Sequence, residues 1–321
     1  MGSVHAANLA HACPSAELVA CYDPDADAVG AVAARYEIAA AESVDDLLTA
    51  YDLDGIVVAT PTATHAMLAL RAADAHLAVF LEKPISLERP ETVQVVERFE
   101  ADRLALQIGF NRRFDDTVAD VARRLRAGEL GMPYLLRISQ RDMSPPPPEF
   151  LAGSGGIFLD MGIHDFDLAR FLVGDVARVS AVGTALSDRG FAEIGDFDTA
   201  IATLEFENGA LGVLDLGRVA GYGYESSAEL VGEKATVRLD MPPALLAEWR
   251  QPGLASRPLL RSYDRRYSAA FAAELDVFAR ALLDETPPPV TGRDALAAFD
   301  IATAATRACE LGRPVALDEL A

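Results

Sequence analysis

A chain of 321 residues is long enough for two domains, and 51% hydrophobic with 24% charged residues suits a packed globular protein that needs no staples. Its formal charge is -21, from 28 basic against 49 acidic residues, which repels phosphate backbones and anionic membranes, so neither nucleic acid nor membrane is an expected partner. Cys13, Cys21 and Cys309 are odd in number and lack a Cys-x-x-Cys spacing, so they are expected as buried small side chains with no disulfide or zinc site. The N-terminus has no basic flank and apolar run of a signal peptide, and no stretch approaches the roughly 18 apolar residues of a membrane span; a cytoplasmic location is the expectation.

From Leu18 to about Phe110, short apolar runs alternate with helical stretches. The runs are 18–22, 55–59, 78–81 and 105–109; the helices are 26–36, 64–75 and 90–102. Near-continuous apolar strands with helices between them predict a parallel, doubly wound sheet, the nucleotide-binding half of an α/β protein. After Arg126 a proline-rich stretch, 143–148, leads to a helix opening near Gly155, and then the strands alternate: 176–186, 199–206, 210–216, 228–231 and 235–239. Asn208-Gly209 marks a hairpin turn. Alternation predicts a mostly antiparallel sheet covered on one face by helices, among them the Gly155 helix and another at 268–283, so the second half is α+β. The expected domains are 1–110 for dinucleotide binding and 111–321 for substrate binding and oligomerisation, with a C-terminal helix, about 293–311, packing back on the first.

Lys83 is one of two lysines beside twenty-six arginines, and it stands where the apolar run Ala78 to Leu81 meets a proline, in Glu82-Lys83-Pro84. An ammonium whose proton affinity burial can tune does chemistry that guanidinium cannot; a chance survivor on a strand end is the plainer alternative. In Gly155-Gly156-Ile157-Phe158-Leu159-Asp160-Met161-Gly162-Ile163-His164-Asp165, residues Asp160 and His164 are spaced i,i+4 and share one helix face, either for one small molecule or as an ion pair. Asp160, His164, Asp165 and Asp167 could alternatively hold Zn, Mn or Fe, but no second histidine is near and two of the acids belong to other faces, so no metal is expected. Asp23 follows the strand ending at Tyr22, the position of the acid that receives ribose hydroxyls; the competing role is a turn capping the next helix.

These residues match a family pattern. Glu82-Lys83-Pro84, the Gly-Gly-x-x-x-Asp-x-x-x-His-Asp stretch, Gly109 to Asp115 and Arg141-Asp142 resemble the Gfo/Idh/MocA oxidoreductases, nicotinamide-dependent enzymes of sugars and polyols, and their inositol 2-dehydrogenase branch in particular. The resemblance covers nearly the whole chain. It implies an N-terminal Rossmann domain, NAD rather than NADP because Asp23 disfavours a 2'-phosphate, and a small polyol or sugar as substrate. It assigns catalysis to Lys83, Asp160 and His164. His164 would be the base that takes the hydroxyl proton, Asp160 would orient His164 or the substrate, and Lys83 would stabilise the developing alkoxide. It places Thr60, Pro61, Thr62 and His65 beside the nicotinamide, with Glu82 and Lys83 completing the cofactor contacts, although Thr62 could be a helix cap and His65 a surface residue. Arg112, Asp142 and Tyr224 are the substrate contacts it suggests, while Phe271 stands where an inositol-type tyrosine is expected. It also implies a homo-oligomer, dimer or tetramer.

The chain departs from that pattern at its start. Met1-Gly2-Ser3-Val4-His5 looks like the end of Gly-x-Gly-x-x-Gly, with Gly2 as the third glycine; the first strand and first two glycines, about a dozen positions, do not precede it. A start codon placed too far downstream is the expected reason, and a truncated protein that binds NAD poorly, or a catalytically silent binding protein, is the alternative.

Overall fold

The computed structural model describes residues 1–187 and 189–320. The chain folds as two compact units, one of Met1–Phe114 with Ala269–Leu296 and one of Asp115–Ser268 with the segment from Ala297 onward. The expected boundary at 110 therefore shifts to Phe114, and 269–296, expected in the second domain, lies in the first.

In the first unit the elements are α1 (Gly2–His11), β1 (Ala20–Cys21), α2 (Ala26–Tyr36), β2 (Ala39–Ala40), α3 (Val44–Thr49), β3 (Gly55–Val58), α4 (His65–Asp74), β4 (Ala78–Leu81), α5 (Arg89–Asp102) and β5 (Leu106–Ile108). Asp25 caps α2 by accepting from the N–H groups of Asp27 and Ala28, and Ser43 caps α3 through Asp46, as sequence alone indicates for short polar residues before helices. All strand pairs are parallel, but the sheet is in two pieces, β1 with β2 and β3 with β4 and β5. Every residue of β4 is buried, whereas Gly55 to Val57 of β3 are only half-buried, because β3 has a strand neighbour on one side alone among the described residues.

The second unit runs through α6 (Asp116–Arg126), β6 (Pro133–Arg141), α7 (Pro148–Leu151), α8 (Ile163–Val173), β7 (Val176–Thr184), α9 (Arg189–Glu193), β8 (Thr199–Phe206), β9 (Leu211–Gly217), β10 (Glu225–Gly232), β11 (Thr236–Leu239), the hairpin β12 (Trp249–Gln251) with β13 (Leu254–Ser256), and α10 (Tyr263–Arg266). Its seven-stranded sheet has the order β11-β10-β6-β9-β8-β7-β14, where β14 is Val315–Ala316. Every neighbouring pair is antiparallel except β6 with β9. Alternation works as expected: Ala200, Ala202, Leu204 and Phe206 of β8 are buried, and Thr199, Ile201 and Thr203 between them are exposed. Helix α8 packs on the covered face, and in the turn just before it a Cβ at Gly162 would meet a methyl of Leu216 of β9 at 3.0 Å, a close approach that glycine eases.

Two helices remain. α11 (Ser268–Leu283), expected against the second sheet, instead belongs to the first unit, where Leu275 and Phe278 join Cys13, Ala78 and Phe80 in one core cluster. α12 (Gly292–Leu311) begins in the first unit, where a Cβ at Gly292 would meet Val96 at 2.9 Å, and continues from Ala297 in the second. Cys13 is buried as expected, but Cys21 and Cys309 are only half-buried. Among the described residues no helix is long and apolar enough to cross a membrane.

Candidate active site

Parallel strands deliver their following residues to one edge of the sheet. Asp23 follows β1, Thr60 to Thr62 follow β3, and Glu82 with Lys83 follows β4. α1 opens at Gly2 with no side-chain cap; the Val4 and His5 N–H groups turn back to Met1 O, and those of Gly2 and Ser3 remain for an external acceptor. Asp23 is exposed and accepts from the Asp25 N–H at 2.9 Å; Asp25, not Asp23, caps α2. The capping role weighed for this turn thus falls to Asp25, and Asp23 is left exposed after β1.

Thr60 and Thr64 bond through their hydroxyls at 2.7 Å, and the Thr64 hydroxyl donates to Pro61 O at 2.8 Å, folding the loop into the short turn Thr62–Thr64. His65 is not a surface residue: it is 1% exposed, with Nδ1 at 2.8 Å from Pro84 O and Nε2 at 2.8 Å from Thr60 O. Both partners are carbonyl oxygens, so the ring donates, and it ties the Thr60 loop to the Lys83-Pro84 segment. The Lys83-Pro84 peptide is cis. Glu82 is buried, with Oε1 at 2.6 Å from His5 Nε2, and its Oε2 accepts from the Lys83 N–H at 3.3 Å. Burial alone would raise its carboxyl, but the His5 hydrogen bond and then the charges of His5, Lys83 and His65 hold it below the usual range. Lys83 itself is half-buried. Arg112 is 3% exposed in the turn after β5, and Arg113 pairs with Asp294 at 3.0 Å.

In the second unit, Gly155 and Gly156 take φ of 81° and 84°, the left-handed region, and a Cβ on Gly156 would meet Asp196 Oδ1 at 3.2 Å. That oxygen accepts from the Ile157 N–H at 2.8 Å. The helix does not open as an α-helix: Phe158–Gly162 form a π-helical turn before α8, so Asp160 and His164 span a π-to-α junction, a widening that recurs at functional sites. Asp160 and His164 are half-buried; Asp165 and Asp167 are 0% and 1% exposed. Arg218, fully buried, donates to Asp160 Oδ2 at 2.9 Å and Asp196 Oδ2 at 3.2 Å, clamping both acids.

The one parallel pair explains why these groups meet. Arg141 and Gly217 are register partners at the carboxyl ends of β6 and β9, so Asp142 and Arg218 leave the sheet side by side. Asp142 N–H donates to Gly217 O at 2.9 Å, and Ala220 N–H returns to Asp142 O at 2.8 Å. Tyr224, 5% exposed, precedes β10 and is held through its N–H to Leu260 O at 3.1 Å. Of the expected site residues, Gly2, Asp23, Thr60, Pro61, Thr62, His65, Glu82, Lys83 and Arg112 belong to the first unit, and Asp142, Asp160, His164 and Tyr224 to the second.

Residues 1–110 match the model of an oxidoreductase family with an NAD-binding Rossmann fold, and 118–238 match the Gfo/Idh/MocA C-terminal domain. The chain belongs to the Gfo/Idh/MocA family. It is 37% identical over 99% of its length to the uncharacterized oxidoreductase YrbE of Bacillus subtilis, of which it covers 94%. It is 33% identical to scyllo-inositol 2-dehydrogenase (NAD(+)) of the same organism, again over 99% of this chain and 94% of the relative. The crystal structure of scyllo-inositol dehydrogenase from Lactobacillus casei, with bound NAD(H) and scyllo-inositol, superposes with a TM-score of 0.92 at 27% identity, covering 99% of this chain and 96% of that one. This member of the Gfo/Idh/MocA family is therefore an NAD-dependent oxidoreductase with a Rossmann unit and an α+β unit.

Arg218, Asp196, His5 and Glu274 were not anticipated. Arg218 stands alone after Gly217 at a strand end, a weak signal. Glu274 was legible: in α11 it falls on the stripe Ala270, Phe271, Leu275, Phe278 that is otherwise apolar and buried.

Proposed function

We propose that the protein oxidises a secondary alcohol of a cyclic polyol, myo-inositol or a close relative, with NAD as hydride acceptor. The observation that carries this is the Asp160-to-His164 turn, clamped by Arg218 and opened by two glycines that only a left-handed backbone explains. The inositol dehydrogenases among the relatives support the substrate class.

The first unit has the donor set that a dinucleotide needs: an uncapped helix start at Gly2, the exposed Asp23 after β1, and the Thr60–Thr62 turn fixed by His65. NAD, when bound, supplies the hydride acceptor. Gly2 and Ser3 N–H groups hold diphosphate, Asp23 accepts from the ribose hydroxyls and repels a 2'-phosphate, and the Thr60 loop, Glu82 and Lys83 line the nicotinamide end. His164 takes the hydroxyl proton at an imidazole nitrogen, because histidine changes charge near neutral pH. Asp160, held in place by Arg218, orients the imidazole or the polyol. Lys83 donates to the oxygen that becomes alkoxide, and Glu82 fixes its backbone. Arg112, Asp142 and Tyr224 supply further polyol contacts, since a site built to bond hydroxyls rejects analogues without them. Phe271 is 6% exposed and lies edge-on to His5 at 6.2 Å, a core position.

The uncovered face of the seven-stranded sheet exposes Val182, Ile201 and Leu211, which fits self-association as a dimer or tetramer in the cytoplasm. A panel of inositols and aldoses assayed with NAD and NADP tests the proposal. NAD reduction with an inositol, far exceeding NADP reduction, is the expected result; equal use of NADP would overturn the role of Asp23, and turnover confined to ketosugar reduction would replace the substrate class.

A further inference from the structure

His5 and Glu274 take no part in the chemistry above, yet they meet Glu82 inside the first unit. His5 comes from α1, Glu82 from the end of β4 and Glu274 from the middle of α11, and one nitrogen or oxygen of each lies within 4.8 Å of the other two. His5 is 1% exposed, Glu274 0% and Glu82 8%. Around them are the rings of Phe80 and Phe271, 5.3 and 6.2 Å from the imidazole, and Gln107, whose amide donates to Glu274 O at 2.7 Å. Both carboxyl oxygens of Glu274 and the Nδ1 of His5 are buried without a hydrogen-bond partner. The Glu274 oxygens so enclosed call for a partner, since a buried polar group left unbonded is costly.

The spacing decides what fits. Atoms no farther apart than 4.8 Å can all be reached from one point at about 2.8 Å, the length of a hydrogen bond to water. A metal ion requires about 2.0–2.2 Å to each ligand and spreads tetrahedral ligand atoms more than about 3 Å apart. His5 Nε2 and Glu82 Oε1, at 2.6 Å, are closer than that and share a proton instead. A carboxylate at Glu274 would add a second negative charge beside Glu82 with no cation bonded to it. Burial, and then the Glu82 charge, push the Glu274 carboxyl well up from its ordinary range; the other charged or titratable groups that face the pair are His5, Lys83 and His65.

We propose that Glu274 is a neutral carboxylic acid in the folded protein and that, with the His5-Glu82 pair, it forms a buried site for one water molecule. The acid donates to that water, the water donates to a carboxylate oxygen of Glu82, and Glu82 stays an acceptor for the His5 Nε2–H and the Lys83 backbone. Glu274 and His5 are then positioning residues for Glu82, at the neighbour of Lys83. The site stands whatever the substrate; only its bearing on Lys83 rests on the proposed reaction.

Infrared spectroscopy of the full chain at neutral pH, with Glu274→Gln and Glu274→Leu beside it, tests the site without any assay of turnover. Wild type should show the carbonyl stretch of a protonated carboxylic acid, lost in both variants. Glu274→Gln, a neutral donor of the same shape, should keep the melting temperature of wild type to within a few degrees, and Glu274→Leu should melt lower. Elemental analysis of protein purified without chelator should find no stoichiometric metal. Absence of the acid band, a leucine variant at least as stable as the glutamine one, or a stoichiometric metal lost on Glu274→Gln would each overturn the proposal.

Discussion

Replacing Arg218 with methionine removes a charge that bonds both Asp160 and Asp196 through its side chain, and the outcome follows from burial. The Arg218 side chain is 0% exposed, and those of Asp160 and Asp196 are 16% and 7% exposed. Removing one partner of a buried ion pair costs about 3–5 kcal/mol, because the partner left behind stays charged and poorly hydrated. Asp196 keeps its bond from the Ile157 N–H and Asp160 keeps some water, which places Arg218→Met near the low end, about 3 kcal/mol. For a unit of this size that is about 6–12 °C in Tm. Arg218→Lys keeps the charge but has a single point donor for two carboxylates, so it should lose about half as much. Adding Asp160→Asn and Asp196→Asn to Arg218→Met removes the orphaned charges and should recover much of the loss. Urea unfolding gives the stability, and hydrogen exchange over 156–173 shows whether the π-helical turn loosens first. An Arg218→Met protein with the wild-type midpoint and unchanged exchange in that segment would refute the clamp.

Lys83→Ala, Asp160→Ala and His164→Ala should each lower kcat/KM by at least about 10²-fold, with NAD affinity little changed for the last two, and Lys83→Arg should not rescue; near-normal turnover in either Asp160→Ala or His164→Ala would remove their catalytic role. Asp294 is half-buried beside Arg113, and although burial acts to raise its carboxyl, the Arg113 charge and the Thr291 bonds hold it below its ordinary value. A depressed carboxylate stabilises the fold above its unfolded pKa and loses that contribution as pH falls through the folded one, so Asp294→Asn should cost about 1–2 kcal/mol at pH 7 and progressively less in acid. Urea midpoints of both proteins from pH 7 to pH 3 check the convergence. Burial, aided by Asp276, pushes the Cys13 thiol up to about 11, so at pH 8 iodoacetamide should modify Cys13 slowest of the three cysteines, as peptide mass mapping over time would show.

The elements and the two fold classes were legible because hydrophobic period is a local property. Continuous apolar runs such as Ala78 to Leu81 can exist only where both faces are covered, and the alternation in Thr199–Phe206 only where one is. Asn208-Gly209 gave its hairpin for the same reason, since a turn is decided by the residues within it. Lys83, Asp160 and His164 stood out by scarcity and spacing.

What the chain could not reveal locally were choices between equally apolar partners. The α11 stripe would satisfy either sheet, and it is the packing of Leu275 and Phe278 on Cys13, Ala78 and Phe80 that sets it in the first unit. The i,i+4 spacing of Asp160 and His164 assumed an α-helix, but the Arg218 clamp on Asp160 and the Asp196 bond to Ile157 accompany a wider π turn. His65, whose plainer reading was a surface residue, is buried because the carbonyls of Thr60 and Pro84 receive its ring. Sequence by itself determined which segments become strands and helices and which residue types could carry a proton, because backbone geometry and side-chain chemistry are read within a few residues. Tertiary structure alone decided that Arg218 meets two acids and that His5, Glu82 and Glu274, up to 269 positions apart in the chain, share one enclosed space, because burial and charge balance are set by neighbours that only folding brings together.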